Sequence, residues 1–450
     1  MPERASTPKP PRTGVVARQA TLSLTAARLG ARQMGRALHN TLSPPDPQQQ
    51  TAQTQAQQQA DGELILRTLD RLKGAGLKLA QLLSQDTDWL PPALREPLAR
   101  SCQGATPMNR ALVHQVFQRA FAQGPQALFA QFDPQAFAAA SLGQVHAAQD
   151  PRWGELAVKV QYPGMAQTVA SDLQVLKALL ATLGATSTRL PPRSVWEPVV
   201  DRVHQRLLEE LDYTHEAAQL TWFGEQPLPP GVVLPQVVPD RCHRRVLTLT
   251  RLPGQPLLTW LDTQPDALAR HTVGQHLWDW FMHSAFRLGR LHADPHPGNF
   301  LVLPDLRLGV VDFGCVQPLS PHWQTGVAAL WSALLQPPGP ARDTALLTHY
   351  EALGLLAPGL HRTEGQGLLA ALAPLHDWQA VPFCTPRFQA RQGPPLPQPD
   401  ATQQALTSRL LHQVPEEMTY FDRSWLGLLQ LLHRLDTWVD TRNPWVTRPT

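Results

Sequence analysis

Apolar residues recur at helical intervals along much of the chain. In residues 62–85 they lie mostly three, four or seven positions apart, at Ile65, Leu69, Leu72, Leu79, Leu82 and Leu83. This spacing puts them on one face of an amphipathic helix. We also predict helices at about 109–122, 165–184, 193–221 and 267–291, and a mostly helical remainder over 322–450 that prolines interrupt.

A period close to two marks the strands that lie among these helices. Residues 136–149 and 155–162 read as three antiparallel strands, with a turn at Pro151–Gly154 before the last one. Two short strands flank a second turn at Pro304–Asp305, and two more strands are predicted at 232–238 and 244–252. A strand-rich segment followed by a helical one predicts an α+β fold.

The first 61 residues differ in composition from the rest. Residues 1–14 form a tail that contains Pro and Arg, and residues 43–61 form a linker rich in Pro and Gln. Between them, residues 15–41 read as a helix with a cationic stripe of Arg28, Arg32 and Arg36. Such a stripe suits either a membrane surface or the solvated face of a docked helix, and both interpretations stay open.

Charge and cysteine content limit the partners and the compartment. The formal net charge is only +3, which gives no reason to expect a nucleic acid partner. The four cysteines form no C-x-x-C pair, which favours a reducing compartment. The sequence shows no signal peptide and no apolar run near the roughly 18 residues that a membrane span requires. We therefore expect a cytoplasmic protein, with peripheral contact to a membrane left open.

The segment from His292 to Gly314 contains residues suited to phosphoryl transfer. Asp294 and Asn299 stand five residues apart, as in a kinase catalytic loop, where they supply a carboxylate near the acceptor and a neutral oxygen ligand for magnesium. Asp312 follows an apolar strand and begins a DFG tripeptide. The tripeptide alone is a weak signal, but the spacing to Asp294 and Asn299 makes it specific.

Lys159 lies in the middle of an apolar strand, where a cation is costly unless an anion neutralises it. In kinases a lysine on such a strand holds nucleotide phosphates and pairs with a helix glutamate. Candidates for that glutamate are Glu209, Glu210 and Glu216. The alternative is that these residues form a solvated acidic face, which spacing alone does not exclude. The alternative for Lys159 is an edge-strand lysine whose charge reaches solvent.

A kinase glycine-rich loop is replaced here by Ala138, Ala139, Ala140 and Ser141, just before two strands. Glycines let a backbone close over phosphates, and alanines restrict that approach, so nucleotide geometry should differ from that of a protein kinase. In isolation this string also suits a helix. A zinc site of His292, Asp294 and His296 is a further alternative for the catalytic segment, but it leaves Lys159 and Asp312 without a role.

Six motifs, in order, resemble the UbiB/ADCK family of atypical kinases, which is tied to ubiquinone biosynthesis and lipid handling. They are LKGAGLKLAQLLS, AAASLGQVHAA, AVKVQYPG, ELDYTHEAAQ, HADPHPGN and VVDFG, and they extend from about residue 62 to residue 316. The resemblance implies a two-lobed protein-kinase-like fold. It has a small, mainly β N-lobe, a helical C-lobe and an extra N-terminal helical extension packed over the active site.

The resemblance also implies roles for individual residues. Lys159 would pair with Glu216, Asp294 would be the catalytic aspartate, and Asn299 and Asp312 would bind Mg2+ with ATP or ADP. The alanine-rich segment 138–141 would cover the nucleotide. Lys78 and Gln81, on the N-terminal extension, would meet Glu210 and Asp212 and so cover the active site. Lipid or quinone-pathway enzymes would be the partners besides the nucleotide.

Three positions depart from the family pattern: Ala80, Gln219 and Thr250 stand where glycine, asparagine and an acidic residue are usual. They bear on regulation and nucleotide preference more than on the fold. The domains expected are a basic helix with a linker (1–61), the helical extension (62–130), the N-lobe (131–253) and the C-lobe (254–450).

The leading hypothesis is an atypical kinase or ATPase that uses Mg2+ and ATP. The alternatives are a nucleotide-binding pseudokinase scaffold and a small-molecule phosphotransferase. The complete set of Lys159, Asp294, Asn299 and Asp312 speaks against the first. The LKGAGLKLAQ and alanine-rich motifs speak against the second, because a simple phosphotransferase has no use for them.

Overall fold

A computed structural model describes residues 108–447, with gaps at 141, at most positions of 166–192, and at 358, 360–361 and 412–413. The described residues fall into two compact units: 108–215 with 238–249, and 216–237 with 250–447. The segment 1–61 and most of the expected extension, including Lys78, Ala80 and Gln81, lie outside the described residues. The domain boundaries stay predictions.

The helices with described bounds are α1 Arg110–Phe121, α2 Pro125–Leu128, α3 Arg193–Glu210, α4 Tyr213–Gly224, α5 Leu257–Asp262, α6 Ala267–Met282, α7 Pro321–Leu334, α8 Pro340–Ala352, α9 Arg362–Cys384, α10 Ala401–Leu410 and α11 Glu416–Leu435. The strands are β1 Gln131–Ala140, β2 Gly143–Asp150, β3 Gly154–Gln161, β4 Val232–Val233, β5 Val246–Thr250, β6 Gln255–Pro256, β7 Arg290–His292, β8 Phe300–Val302, β9 Leu308–Val310, β10 Val316–Pro318, β11 Arg387–Gln389 and β12 Trp438–Asp440.

The first unit is built on a four-stranded sheet of order β1-β2-β3-β5. The antiparallel β1–β2 and β2–β3 pairs confirm the three strands expected from the period of two. Leu156, Val158 and Val160 alternate along β3 and are fully buried in a core that they share with Phe117 of α1. Since side chains alternate between the faces of a strand, Lys159 lies on the opposite face from this core.

The second unit joins short strands to a helical body. One sheet has the order β4-β9-β8-β6, and β7 pairs with β10 next to the segment that carries Asp294. The antiparallel β8–β9 hairpin confirms the two strands expected around Pro304–Asp305. Helices α6, α7, α9 and α11 enclose an aromatic core, in which neighbouring rings touch: Trp278, Phe281, Trp331, Phe383, Phe421 and Trp425.

Three sequence predictions are wrong in their extent. The helix expected over 267–291 ends at Met282, and Arg290–His292 form β7 because they pair with β10. The helix expected over 193–221 is two helices, because α3 ends at Glu210 and the chain starts α4 anew after Asp212. The strand expected over 232–238 is reduced to the pair Val232–Val233, since Pro235 has no N–H to donate to a ladder. The kinase-like, mixed α+β class is confirmed. No helix in the described part of the chain is long and apolar enough to cross a membrane.

Candidate active site

Asp294 and Asn299 face each other across the loop between β7 and β8. Asn299 Nδ2 donates to Asp294 Oδ2 over 2.8 Å and to the Asp294 backbone carbonyl over 3.3 Å. The backbone carbonyl of Asn299 accepts from Val311 N over 3.1 Å, which ties the loop to the segment after β9. Because the amide nitrogen serves Asp294, the side-chain oxygen of Asn299 is the atom that can bind a cation.

Asp312 directly follows Val311, the residue whose N–H donates to the Asn299 carbonyl. Its Oδ1 accepts from Gly314 N over 3.0 Å, and its backbone carbonyl accepts from His292 Nε2 over 2.5 Å. His292 is buried against Phe300 and Phe313. Burial lowers the pKa of His292, so the ring is neutral near pH 7 and acts as a hydrogen-bond donor. The second unit therefore brings Asp294, Asn299 and Asp312 into one connected segment.

The zinc alternative has no support in this geometry. The His292 ring binds the Asp312 carbonyl, and the His296 Nδ1 accepts from Gly298 N over 3.1 Å. Within the described residues, no group of three or more His, Cys, Asp or Glu side chains is placed to hold a metal ion. Both histidines instead shape the loop that carries Asp294.

Glu216, one of the three candidate glutamates, contacts the DFG segment. It is 5% exposed, near the start of α4, and its Oε1 accepts from Phe313 N over 3.4 Å. Glu209 is exposed and Glu210 is half-buried at the end of α3. Lys159 belongs to the first unit and Glu216 to the second, so the expected Lys159–Glu216 pair stays a prediction.

Lys159 is buried, with 8% of its surface exposed, and lies opposite Val145 of β2. Its strand β3 is flanked by β2 and β5 on its two sides, so the alternative of an edge-strand lysine is wrong. A lysine ammonium in such a place requires an anionic or polar environment. This burial agrees with the predicted role of Lys159.

The alanine-rich segment forms the end of a strand and not a helix. Ala138, Ala139 and Ala140 close β1, and Ala140 pairs with Gly143 across the hairpin. Ser141, at the turn, lies outside the described residues. A Cβ at Gly143 would collide with the Val160 carbonyl, so the hairpin needs glycine there. Coverage of a nucleotide by 138–141 stays a prediction.

Asp212 begins helix α4. Its Oδ1 accepts from Thr214 N over 3.1 Å and from Thr214 Oγ1 over 2.5 Å, and its Oδ2 binds Arg244 Nε over 2.9 Å. Partial burial favours the neutral carboxyl, but the hydrogen bonds from Thr214 and the charge of Arg244 outweigh it and hold the pKa of Asp212 below its usual value. The proposal that Lys78 and Gln81 meet Glu210 and Asp212, and so cover the active site, stays a prediction.

Replacing this helix cap should destabilise the protein in a pH-dependent way. We expect Asp212→Ala to lower the free energy of unfolding by about 1–2 kcal/mol, and Asp212→Asn to lower it less, because asparagine also caps helices. Since the folded-state pKa is depressed, the contribution is present above the unfolded-state pKa and is lost as pH falls through the folded-state pKa. Urea unfolding from about pH 6 to about pH 3 should show the wild-type advantage over Asp212→Ala shrinking with acid. A constant advantage would contradict this origin.

Arg290 links two elements next to the site, and no sequence pattern indicated this role. Its guanidinium lies 3.9 Å from the centre of the Trp222 ring, and Nη1 is 3.4 Å from Gln219 Oε1. It thus ties α4 to β7, two residues before His292.

Two of the positions that depart from the family pattern have hydrogen-bond partners in the structure. Gln219 accepts from Arg290 in the contact just described. Thr250, another departure, accepts from Gln236 N through Oγ1 over 2.8 Å.

Comparisons with known proteins agree on one kind of domain. Residues 101–338 match the description "ABC1 atypical kinase-like domain". The chain is 32% identical over 263 residues to the atypical kinase coq-8, mitochondrial, of Caenorhabditis elegans, a match that covers 57% of this chain and 34% of that protein. It is 33% identical over 259 residues to the atypical kinase COQ8B, mitochondrial, of Rattus norvegicus, which covers 57% of this chain and 48% of that protein. The chain therefore spans a third to a half of these relatives.

A solved structure extends the likeness beyond the matched domain. It is described as the complex structure of Rv3197-erythromycin from Mycobacterium tuberculosis, and it is 25% identical to this chain. The TM-score is 0.58, and the match covers 87% of this chain and 96% of that one. A match of that extent is longer than the first 338 residues, so it includes at least part of the chain that follows residue 338.

Proposed function

Because the chain belongs to the ABC1 atypical kinase-like family, we propose that it binds ATP with Mg2+ and cleaves the terminal phosphoryl bond, transferring the group to water or to a small acceptor. The observation that carries the proposal is the linked set of Asp294, Asn299 and Asp312 in one unit. A kinase needs these three side chains within one short segment.

The donor set fits magnesium. Carboxylate and amide oxygens are the ligands that this hard cation prefers, and Asp312 and the Asn299 side-chain oxygen supply one of each. These two residues would hold Mg2+ together with phosphate oxygens of the nucleotide. When bound, the metal neutralises charge on the phosphates and on the leaving group.

The remaining residues position the reactants. Asn299 holds Oδ2 of Asp294, so that this carboxylate can orient the nucleophile and take its proton as the new P–O bond forms. Glu216 is anchored at the Phe313 amide and is proposed to orient Lys159. Lys159 would then hold the α- and β-phosphates, and residues 138–141 would cover them.

The biological substrate is proposed from the relatives and the family resemblance. Their names describe mitochondrial atypical kinases, and the resemblance ties the family to quinone synthesis and lipid handling. We therefore propose that the protein supports ubiquinone biosynthesis or lipid metabolism. It would work with enzymes of that pathway and in peripheral contact with a membrane surface.

Product analysis with labelled nucleotide tests this proposal. The full chain would be incubated with Mg2+ and ATP carrying a labelled terminal phosphate, alone, with anionic phospholipid vesicles, and with a phenol that mimics a quinone precursor. Labelled free phosphate identifies an ATPase, and a labelled phenol identifies a kinase. Turnover that rises with vesicles supports membrane contact. Nucleotide binding without product in any arm would favour the scaffold alternative instead.

A further inference from the structure

Helix α11 begins 78 residues beyond the segment that matches the family description, yet it touches the catalytic loop. Arg423 Nη2 donates to the Ala293 backbone carbonyl over 2.6 Å and lies 3.4 Å from Cys315 Sγ. Ala293 N in turn donates to the Cys315 carbonyl over 2.9 Å. Ala293, the residue before Asp294, is therefore held at both its N–H and its carbonyl.

A second contact lies one helical turn along the same face of α11. A Cβ at Gly427 would overlap the ring of Pro295, so the helix backbone packs directly against the loop. Residues four apart share a helix face, so Arg423 and Gly427 present one continuous surface to residues 293–295. A proline ring is rigid, and it cannot move aside for a larger residue.

We propose that α11 is part of the catalytic apparatus and that Arg423 is its positioning residue, which rests on the function proposed above. The Ala293 carbonyl and the Asp294 N–H belong to the same planar peptide unit. Fixing that carbonyl fixes the orientation of the plane from which the Asp294 side chain departs. A hydrogen bond from a charged guanidinium is stronger than a neutral one, and it holds the plane firmly.

Arg423 also contacts the segment that carries Asp312, through Cys315. Cys315 follows directly on Asp312, Phe313 and Gly314. Its carbonyl accepts from Ala293 N, and its Sγ donates to the Ala293 carbonyl over 3.7 Å. Arg423 contacts both Ala293 and Cys315, so it sets the spacing between the segment that carries Asp294 and the one that carries Asp312. Tyr420, three residues earlier on α11, has its ring 5.4 Å from the guanidinium and helps to orient it.

The test compares Arg423→Ala, Arg423→Lys and Gly427→Ala with Arg434→Ala, in the full chain. Arg434 is an exposed arginine on the same helix, near its end, and serves as the matched control. A displacement near 1 Å at a catalytic group costs about 100-fold in rate, so we expect kcat of Arg423→Ala to fall about 10- to 100-fold. The KM for ATP should change less than about twofold, because Arg423 positions the loop and does not hold the nucleotide.

Two further readouts separate positioning from general stability. Added guanidinium ion should restore part of kcat in Arg423→Ala but not in Gly427→Ala, and Arg423→Lys should retain an intermediate kcat. Hydrogen exchange should quicken in peptides covering residues 291–300 in Arg423→Ala and Gly427→Ala, and not in Arg434→Ala. If wild-type protein shows no turnover, the proposed function fails. Hydrogen exchange over residues 291–300 still tests whether Arg423 holds the loop in place.

The inference would be overturned by either of two results. One is Arg423→Ala with kcat and exchange over 291–300 equal to those of Arg434→Ala. The other is exchange that quickens throughout the second unit along with a lowered melting temperature, which would make Arg423 a general stabilising residue and not a positioning one.

Discussion

Asp312→Asn is expected to lower magnesium-dependent ATP turnover at least about 100-fold, the scale on which loss of one electrostatic contact at a reacting centre is felt. Asparagine keeps the oxygen that accepts from Gly314 N and keeps the backbone carbonyl that accepts from His292. The fold should therefore survive, and the loss should come from the missing negative charge at the cation site.

The matched control is Asp305→Asn. Asp305 stands seven residues earlier, exposed on the β8–β9 turn, where its Oδ2 pairs with Arg307 over 2.6 Å. Exposed pairs of this kind contribute little to stability because solvent screens them, so the fold and turnover should both be unchanged. Steady-state ADP formation at several Mg2+ concentrations measures both variants. Equal activity in Asp312→Asn and Asp305→Asn would remove Asp312 from the metal site.

Lys159→Met is expected to have a comparable effect on turnover, at least about 100-fold, because it removes the cation proposed to hold the nucleotide phosphates. Methionine is apolar and similar in length, so it can occupy the buried position beside Val145 without a large cavity. The melting temperature should stay near that of the wild type if the variant acts on nucleotide handling alone.

Lys177→Met provides the control for this second change. Only five lysines occur in the chain, and Lys177 lies in the same unit, paired with Asp201 over 2.6 Å and with 25% of its side chain exposed. Its loss should leave turnover unchanged. Both variants are compared by ADP formation and by thermal unfolding. Full activity in Lys159→Met would separate the buried lysine from the chemistry.

Local signals in the sequence predicted the parts of the site that are close together along the chain. The five-residue interval between Asp294 and Asn299 is spanned by one loop, so the spacing implied that they lie close together, and the side chains are hydrogen-bonded. The period close to two over residues 155–162 likewise predicted strand β3, on which Leu156, Val158 and Val160 enter the core. Such patterns depend on neighbours in sequence, and the fold has little freedom to alter them.

Contacts between distant segments left no such signal. Arg423 is 130 residues from Ala293, and nothing in its own neighbourhood marks it as different from the other arginines. The contact of Glu216 Oε1 with the Phe313 amide, 97 residues away along the chain, likewise left no signal in the spacing of Glu209, Glu210 and Glu216. The break at Asp212 was hidden in a helical pattern, since a capping aspartate interrupts a helix without changing its apolar period.

Isothermal titration calorimetry of ATP binding to the full chain, first with Mg2+ and then with a chelator, tests most directly the central claim that the chain binds ATP together with Mg2+. We expect one nucleotide per chain, bound with magnesium and bound at least about tenfold more weakly in the chelator or in Asp312→Asn, and bound normally by Asp305→Asn. Binding of equal strength with and without Mg2+, or no binding at all, would contradict the assignment of Asn299 and Asp312 as the residues that hold the metal.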